Sequence, residues 1–219
     1  MRTLVSCVLV CCAASMLPAP WRVAAQPPAA ANKRAVSIFD GKTFNGWEGN
    51  LKAFRIEQGA IVGGTLDHKI PQNEFLCTTR TYGDFELRLK VKLVGGDDAN
   101  AGIQFRTKRI PNHHEVIGYQ ADMGVGWWGA LYDESRRKKV LTGPDQAKMK
   151  TVVKANDWND YVVRAEGKRI QLWVNGVQTV DYTETDPEID ATGVIAVQIH
   201  SGPPTEAWYK DITIVELGK

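Results

Sequence analysis

Apolar and polar residues alternate with a period of two along most of the chain from residue 35 onward. A β-strand directs successive side chains to opposite faces, so this pattern predicts strands that each bury one face. The predicted strands cover residues 36–39, 54–57, 60–63, 74–79, 85–94, 102–108, 115–122, 130–133, 160–166, 170–175, 177–182, 194–200 and 209–216. No apolar pattern predicts a helix longer than about two turns between them. An all-β fold follows, with two antiparallel sheets packed as a sandwich or jelly roll.

Two tight turns define a meander over residues 160–182. The dipeptides Glu166-Gly167 and Asn175-Gly176 contain residues that tolerate the positive φ angles of two-residue hairpin loops. Apolar residues alternate along the three strands that these turns connect. We expect one face of the meander to be buried through Tyr161, Val163, Ile170, Leu172 and Val174.

The first 25 residues have the organisation of a signal peptide. Arg2 supplies a positive charge, residues 4–17 form an apolar run, and small residues at 23–25 provide a cleavage site. The run is shorter than a bilayer span requires, although retention as an uncleaved anchor is the alternative. We therefore predict a periplasmic or secreted protein with a flexible lead at 26–35 and one domain at 36–217. The mature chain would retain one cysteine, Cys77, which we expect to be a buried apolar residue.

Removal of the signal peptide changes the charge balance. The full chain has 27 basic and 25 acidic residues, and residues 1–25 contain Arg2 and Arg22 but no acid, which leaves 25 of each sign. A neutral protein has no electrostatic reason to bind nucleic acid or an anionic membrane. The composition therefore predicts neither partner for the mature chain.

Candidate chemistry is densest in residues 118–134, GYQADMGVGWWGALYDE. Gln120 and Asp122 share one side of a predicted strand, which is not what a strand buried in the core requires. Trp127 and Trp128 follow a glycine-rich turn, and Glu134 ends the stretch. Carboxylates, amides and aromatic rings in such density are typical of a sugar-binding surface. The alternative is structural, with both tryptophans in the sandwich core.

Polar pairs occur in step on three predicted strands: Gln104 with Arg106, Gln120 with Asp122, and Gln198 with His200. Each pair alternates with apolar residues, so each projects from one face of its strand. We expect the three pairs to converge in one site. The solvent-facing side of an antiparallel sheet alternates in a similar way, which leaves simple exposure as the alternative.

These residues suggest acid–base chemistry. His200 is the leading general acid or base because imidazole titrates near neutral pH, and a structural hydrogen-bonding role is its alternative. Asp122 and Glu134 are the carboxylates to pair with it. Arg106 is expected to stabilise a developing negative charge, or else to form a surface ion pair. No metal site is predicted, because the adjacent His113 and His114 would point to opposite faces of a strand.

Several short motifs, in order along the chain, resemble the 3-keto-disaccharide hydrolase family. They are residues 39–47 (FDGKTFNGW), 82–87 (YGDFEL), 101–106 (AGIQFR), 118–122 (GYQAD), 129–132 (GALY), 157–159 (DWN), 175–176 (NG) and 193–200 (GVIAVQIH). Each motif is short, but their ordered combination is fairly specific and extends from about residue 36 to 217. The resemblance implies a concanavalin-like lectin/glucanase sandwich, in agreement with the strand pattern.

The resemblance also implies a reaction. A 3-keto group acidifies the proton on C2 of a sugar, so a base can remove it, the enolate can expel the glycosidic oxygen from C1, and water can then add. His200 or Asp122 would accept the proton, Arg106 would stabilise the enolate, and Glu134 or Tyr132 would protonate the leaving oxygen. Gln104, Gln120 and Gln198 would bind hydroxyl groups, while Trp127 or Trp128 would stack on a sugar ring. A separate oxidoreductase would produce the keto-sugar, so no cofactor is expected here.

Two other functions fit parts of the sequence. A non-catalytic carbohydrate-binding module, or lectin, would use the same face without chemistry. A conventional β-glucanase would carry three acids on one strand in the pattern E-x-D-x-x-E. Glu184 and Asp186 begin such a pattern, but Ile189 stands at the place of the third acid. Departures from the family, such as Ala101 where a serine is expected, leave the preferred substrate open.

Overall fold

The computed structural model describes residues 34–218. The predicted signal peptide and residues 26–33 of the predicted lead lie outside the described residues. Export of the protein therefore stays a prediction. Within residues 34–218, no helix is both long enough and apolar enough to cross a membrane.

The described residues form fifteen strands and one short helix. In chain order they are β1 Val36–Ser37, β2 Trp47–Glu48, β3 Phe54–Glu57, β4 Ala60–Thr65, β5 Glu74–Tyr82, β6 Phe85–Gly95, β7 Asn100–Arg109, β8 Val116–Gly124, β9 Leu131–Glu134, β10 Lys139–Thr142, α1 Gln146–Val152, β11 Asn159–Glu166, β12 Arg169–Val174, β13 Val177–Thr183, β14 Gly193–Ile199 and β15 Thr205–Glu216.

The strands pair into two antiparallel sheets. One sheet has the order β13-β12-β11-β6-β15-β4-β3, with β1 added beside β15, and the other has the order β10-β9-β8-β7-β14-β5-β2. The predicted all-β sandwich is confirmed. The strand pattern did not predict β2, β10 or α1. Two residues of β2 are too few to show a period, and β10 is an edge strand whose Lys139 and Val140 are both exposed.

The core lies between the inner faces of the two sheets. The alternating residues of the predicted meander are all buried there, as expected: Tyr161, Val163, Ile170, Leu172 and Val174. Asn175 and Gly176 both have positive φ and form the loop between β12 and β13. The preceding loop consists of residues 167 and 168, because Glu166 still pairs with Arg169 in the ladder. Cys77 is buried, and burial raises the pKa of its thiol to about 12.

The hairpin of β7 and β8 does not remain in the plane of its sheet. The register shifts between Phe105 and Lys108, where Arg106 has a φ of 47°. Beyond this bulge, Val116 packs with Phe75 and Cys77 of β5. Since β14 separates β7 from β5 in the sheet, the end of the hairpin must fold back across the outer face. We call residues 108–117 the hairpin arm.

A polar cluster on the inner side joins the edges of the two sheets. Arg137 forms two hydrogen bonds of 2.9 Å with Glu184, just after β13, and Tyr119 of β8 donates a 2.6 Å hydrogen bond to Glu184. Asp133 of β9 binds Arg136 at 2.9 Å. The basic run Arg136 to Lys139 therefore supplies two partners for buried carboxylates. Burial favours the neutral form of Glu184, but these partners prevail and lower its pKa to about 2.

Replacing Glu184 by Gln is expected to lower the free energy of unfolding at pH 7 by about 2 kcal/mol, because the charge-assisted bonds to Arg137 are lost. The pKa of Glu184 is depressed in the folded state, so its stabilisation is present at neutral pH and is lost as pH falls from about 4.5 toward about 2. Urea unfolding curves of both proteins at pH 7 and pH 3 would measure this. Equal differences at the two pH values would contradict the prediction.

Candidate active site

A small polar cleft lies on the outer face of the seven-stranded sheet, beside the hairpin arm. Its volume is about 130 Å³. Five of its eight lining residues come from β8, β9 and the turn between them, and the other three come from strand ends nearby. The lining residues are Asn73, Asn100, Gln120, Asp122, Trp127, Tyr132, Glu134 and His200. Six of the ten site residues predicted from the sequence therefore meet here.

The backbone of Asp122 is held rigidly at the base of this cleft. Its N–H donates to the carbonyl of Ala130 at 3.0 Å, and its carbonyl accepts from Gly129 at 3.1 Å. The hydroxyl of Tyr161, which is buried in the core, donates to the same carbonyl at 3.1 Å. Because three bonds constrain the backbone, the direction of the carboxylate is set by the sheet and not by a flexible loop.

Two amides extend from Asp122 across the sheet. Gln104 donates a hydrogen bond to Gln120, and Gln120 donates to Oδ1 of Asp122. Gly102 makes this possible, since a Cβ atom there would lie 2.6 Å from the Cδ atom of Gln120. The second carboxylate oxygen, Oδ2, is buried and has no hydrogen-bond partner in the described part of the chain. Within residues 34–218, Asp122 is therefore fixed through one oxygen and unpaired at the other.

Two carboxyl groups in the cleft titrate near neutral pH. Burial, with a smaller effect from the charge of Glu134, raises the pKa of Asp122 to about 7 despite the hydrogen bond from Gln120. Burial and then the charge of Glu115 raise the pKa of Glu134 to about 7 as well. Displaced pKa values in a cleft are typical of residues that exchange protons during catalysis. At pH 7 this pair can supply both a base and an acid.

His200 enters the cleft from the end of β14. Its Nδ1 atom lies 2.6 Å from the carbonyl oxygen of Ser201. A carbonyl oxygen can only accept, so Nδ1 carries the proton and Nε2 of the neutral ring keeps its lone pair. The backbone N–H of Ser201 donates in turn to Oδ1 of Asn73 at 2.8 Å. His200 is thus oriented by a short chain of hydrogen bonds.

Asn73 also connects this segment to the hairpin arm. Its Nδ2 atom donates to Oε1 of Glu115 at 3.0 Å. Its backbone carbonyl oxygen lies 2.9 Å from Nδ1 of His114. The other oxygen of Glu115 is buried without a hydrogen-bond partner in residues 34–218. The arm therefore places a carboxylate next to the cleft, where its charge contributes to the raised pKa of Glu134.

Aromatic groups form one side of the cleft. The ring of Trp127 is 44 % exposed at the rim, which suits stacking on a sugar. Tyr132 is half-buried between Asp122 and Glu134, and burial followed by the charges of these two carboxylates raises its pKa. The phenol therefore stays protonated at neutral pH and can donate a hydrogen bond.

The expectation that Arg106 joins this site is wrong. The bulge turns its side chain toward the opposite sheet, where the guanidinium donates to Gly83 at 3.1 Å, Gly167 at 2.6 Å and Asp84 at 2.8 Å. Its side chain is 2 % exposed. The guanidinium thus joins the β5–β6 connection to the β11–β12 turn and cannot stabilise an enolate in the cleft.

Three other predicted contacts also differ. Trp128 is 8 % exposed and belongs to the core. This is the structural role that the sequence analysis gave as the alternative to sugar binding. Gln104 lies on the outer face but is fully buried, and it reaches the cleft only through Gln120. Gln198 is fully buried on the same face, and neither polar atom of its amide has a partner in the described residues. It does not line the cleft.

The sequence interpretation missed Asn73 and Asn100 as residues of the cleft. Asn100 opens β7, and its carbonyl accepts the backbone N–H of His200 at 3.3 Å. Neither asparagine belongs to an alternating polar pair, so the pattern used for the other residues could not identify them. Among residues 34–218, no group of three or more histidine, cysteine or acidic side chains is placed to hold a metal ion.

Comparison with protein families gives a match over nearly the whole domain. Residues 34–215 match the family described as the 3-keto-alpha-glucoside-1,2-lyase-like domain. No curated protein sequence matches the chain significantly.

Solved structures show the same fold at low sequence identity. A proposed glycosyl hydrolase from Parabacteroides distasonis is 18% identical, with a TM-score of 0.62 over 84% of this chain and 94% of that one. The carbohydrate-binding module CBM66 of Bacillus subtilis is 14% identical, with a TM-score of 0.59 over 78% and 95%. A β-glucanase of Bacillus licheniformis is 11% identical, with a TM-score of 0.54 over 84% and 97%.

Proposed function

Because the chain belongs to the 3-keto-alpha-glucoside-1,2-lyase-like family, we propose that it cleaves the glycosidic bond of 3-keto-glycosides by elimination followed by hydration. The family is carbohydrate-active, and the fold is that of glucanases and carbohydrate-binding modules. The observation that carries the proposal is the pair Asp122 and Glu134, two carboxyl groups in one cleft whose pKa values are both about 7. An elimination needs a base and an acid at the same pH.

Asp122 is the proposed base. Its Oδ1 atom is occupied by Gln120, so Oδ2 removes the proton from C2 of the keto-sugar. The electron pair of the C–H bond moves into the enolate, whose negative charge lies on the C3 oxygen. The hydroxyl of Tyr132 and the amide of Asn100 line the cleft and can donate to that oxygen in place of Arg106.

Glu134 is the proposed acid. As the enolate collapses, a double bond forms between C1 and C2, the bond from C1 to the glycosidic oxygen breaks, and Glu134 gives its proton to the departing alcohol. Water then adds to C1 and returns a proton to Glu134, while Asp122 returns its proton to C2. The sum is hydrolysis, and both carboxyl groups recover their starting states. His200, whose Nε2 atom keeps its lone pair, is the alternative proton acceptor.

Cleavage is expected for a 3-keto-glucoside but not for its unoxidised parent, since only the keto group acidifies the C2 proton. Free aglycone measured over time for both compounds tests this. In D₂O the recovered substrate or product should carry deuterium at C2. Cleavage of both compounds without deuterium uptake would indicate ordinary hydrolysis. Binding of the keto-glucoside without cleavage would identify a carbohydrate-binding module.

The dependence of kcat/KM on pH is expected to be bell-shaped, with its maximum near pH 7. Below this pH Asp122 becomes protonated and cannot accept the C2 proton, and above it Glu134 loses the proton that the leaving group needs, since both pKa values are about 7. Initial rates between pH 5 and 9 with one 3-keto-glucoside would measure the profile. A rate that stays constant across this range would exclude the carboxyl pair as the acid and base.

A separate enzyme must supply the substrate in this proposal. None of the proposed steps changes the oxidation state at C3, so the keto group has to be present before binding. We expect an oxidoreductase that acts on C3 of sugars to precede this protein in its pathway. If residues 1–25 direct export, the 3-keto-glycoside must be present in the periplasm. It would either be formed there by the oxidoreductase or be transported there.

A further inference from the structure

A second cavity adjoins the polar cleft and has a different chemical character. It is a groove of about 220 Å³ between α1, the connection from β6 to β7 and the turn from β8 to β9. Most of the side chains that form it are apolar, while four are polar, namely Asp97, Gln146, Lys150 and Asn156. The apolar ones are Leu93, Ala99, Val125, Trp128, Met149, Val153 and Ala155. We call this cavity the apolar groove. Val125 is 50 % exposed at its entrance.

Neighbouring residues on two chain segments separate the groove from the cleft. On one segment Ala99 lines the groove and Asn100 lines the cleft. On the other, Gly126 and Trp128 line the groove and Trp127 lines the cleft. Consecutive Cα atoms are about 3.8 Å apart, and Asn100 pairs directly with Gly124, so both boundaries are only one residue thick. The two cavities are therefore adjacent.

The volumes of the two cavities indicate which part of a substrate each could hold. The polar cleft, at about 130 Å³, is smaller than the roughly 300–1,000 Å³ typical of small-molecule sites, and only together with the groove does it reach that range. The carboxyl pair lies in the cleft, so the keto-sugar must bind there. A group attached to C1 would reach the groove by extending past Trp127, whose chain neighbours line it.

We propose that the apolar groove binds the aglycone, and that the preferred substrates are 3-keto-glycosides with an apolar or aromatic aglycone rather than a second sugar. This inference rests on the glycoside-cleaving function proposed above. An apolar ring that leaves water for this groove gains the free energy of burial against Leu93, Val125 and Met149. A sugar would gain less against these apolar side chains and would depend on the few polar ones for its hydroxyl groups.

The test compares methyl, benzyl and glucosyl 3-keto-glucosides. Methanol and benzyl alcohol are leaving groups of similar acidity, so a difference between the first two substrates reports contact with the aglycone. We expect kcat/KM to be at least about tenfold higher for the benzyl compound than for either of the others, as expected for burial of an apolar group of this size. Equal values for the methyl and benzyl compounds would overturn the inference.

Val125→Asp locates this preference in the groove. The residue is exposed, so the substitution should leave the fold intact, and it places a charge where the aglycone would bind. We expect the ratio of kcat/KM for the benzyl compound to that for the methyl compound to fall to about twofold or less. Val140→Asp is the matched control, because Val140 is 41 % exposed and lines neither cavity. A benzyl preference that survives Val125→Asp would place the aglycone elsewhere.

These measurements distinguish a wrong aglycone site from a wrong reaction. If no keto-glucoside is cleaved, the proposed function is wrong, and calorimetric titration of the same compounds still tests the groove. Tighter binding of the benzyl compound that Val125→Asp removes would support the groove. Cleavage of all three compounds at equal rates would support the proposed function and reject the groove as the aglycone site.

Discussion

Replacing Asp122 by Asn is expected to lower kcat for cleavage of a 3-keto-glucoside by roughly 10²–10⁴-fold, the usual contribution of a general base. Asn has the same shape and can still accept the hydrogen bond from Gln120, but it cannot take the C2 proton. Affinity for the keto-sugar should change little. Single-turnover release of aglycone would measure the loss, and calorimetry on the inactive variant would measure binding.

Glu134→Gln is the companion variant because the two carboxyl groups have different roles. Loss of the acid should lower kcat strongly for a substrate with a methyl leaving group. It should lower kcat much less for a nitrophenyl group, which departs without a proton. Asp122→Asn should be equally inactive toward both substrates, since removal of the C2 proton precedes departure. If the nitrophenyl compound restores activity to Asp122→Asn, then Asp122 is not the base.

The stability of Asp122→Asn separates lost chemistry from lost structure. The folded state raises the pKa of Asp122 from 3.8 to about 7, so the folded protein loses stability relative to the unfolded chain as pH rises between these values. Asn carries no charge, so the variant should be at least as stable as the parent at pH 8. A variant that is both inactive and unfolded at that pH would give no support for a catalytic role.

Arg106→Met is expected to lower the free energy of unfolding by about 3–5 kcal/mol, the usual cost of breaking a buried charged network on one side. The substitution would leave the carbonyls of Gly83 and Gly167 and the carboxylate of Asp84 without their shared donor. The kcat of the folded fraction should fall less than about tenfold, well below the 10²–10³-fold loss typical of a residue that stabilises an oxyanion. Urea unfolding combined with active-site titration would measure both quantities.

Two milder variants test the same prediction if the Arg106→Met protein does not fold. Arg106→Lys keeps the charge but cannot form all three bonds, so it should be destabilised less. Asp84→Asn removes the partly exposed partner and should also be destabilised with nearly normal kcat. If Arg106→Lys loses kcat by a hundredfold or more while Asp84→Asn does not, Arg106 acts in catalysis after all.

The strands were predictable because their physical cause is local. A strand that buries one face must alternate apolar and polar residues, and the meander from Tyr161 to Val174 shows this directly. Turn residues such as Asn175 and Gly176 carry their own conformational preference. Alternation did not predict the edge strand β10, because its backbone pairing with β9 does not require a buried face.

The candidate site was only partly predictable, because it depends on where the sheet departs from regular alternation. Gln120, Asp122 and His200 follow the period of their strands and meet in the cleft. Arg106 keeps the same period in sequence, but the bulge between Phe105 and Lys108 redirects it. Asn73 becomes part of the site through contacts with Ser201 and with the folded-back arm, which no pattern within one strand can show.

The hairpin arm is a part of the chain whose length can change at little cost to the sandwich. Two backbone bonds close the tip on itself, from Ile110 to Glu115 and from His113 to Ile110. Residues added within this closed end would lengthen the arm beside Asn73 while leaving every sheet ladder intact, because loop insertions cost little free energy. A longer or shorter arm would thus change the surroundings of the cleft without altering Asp122 or Glu134.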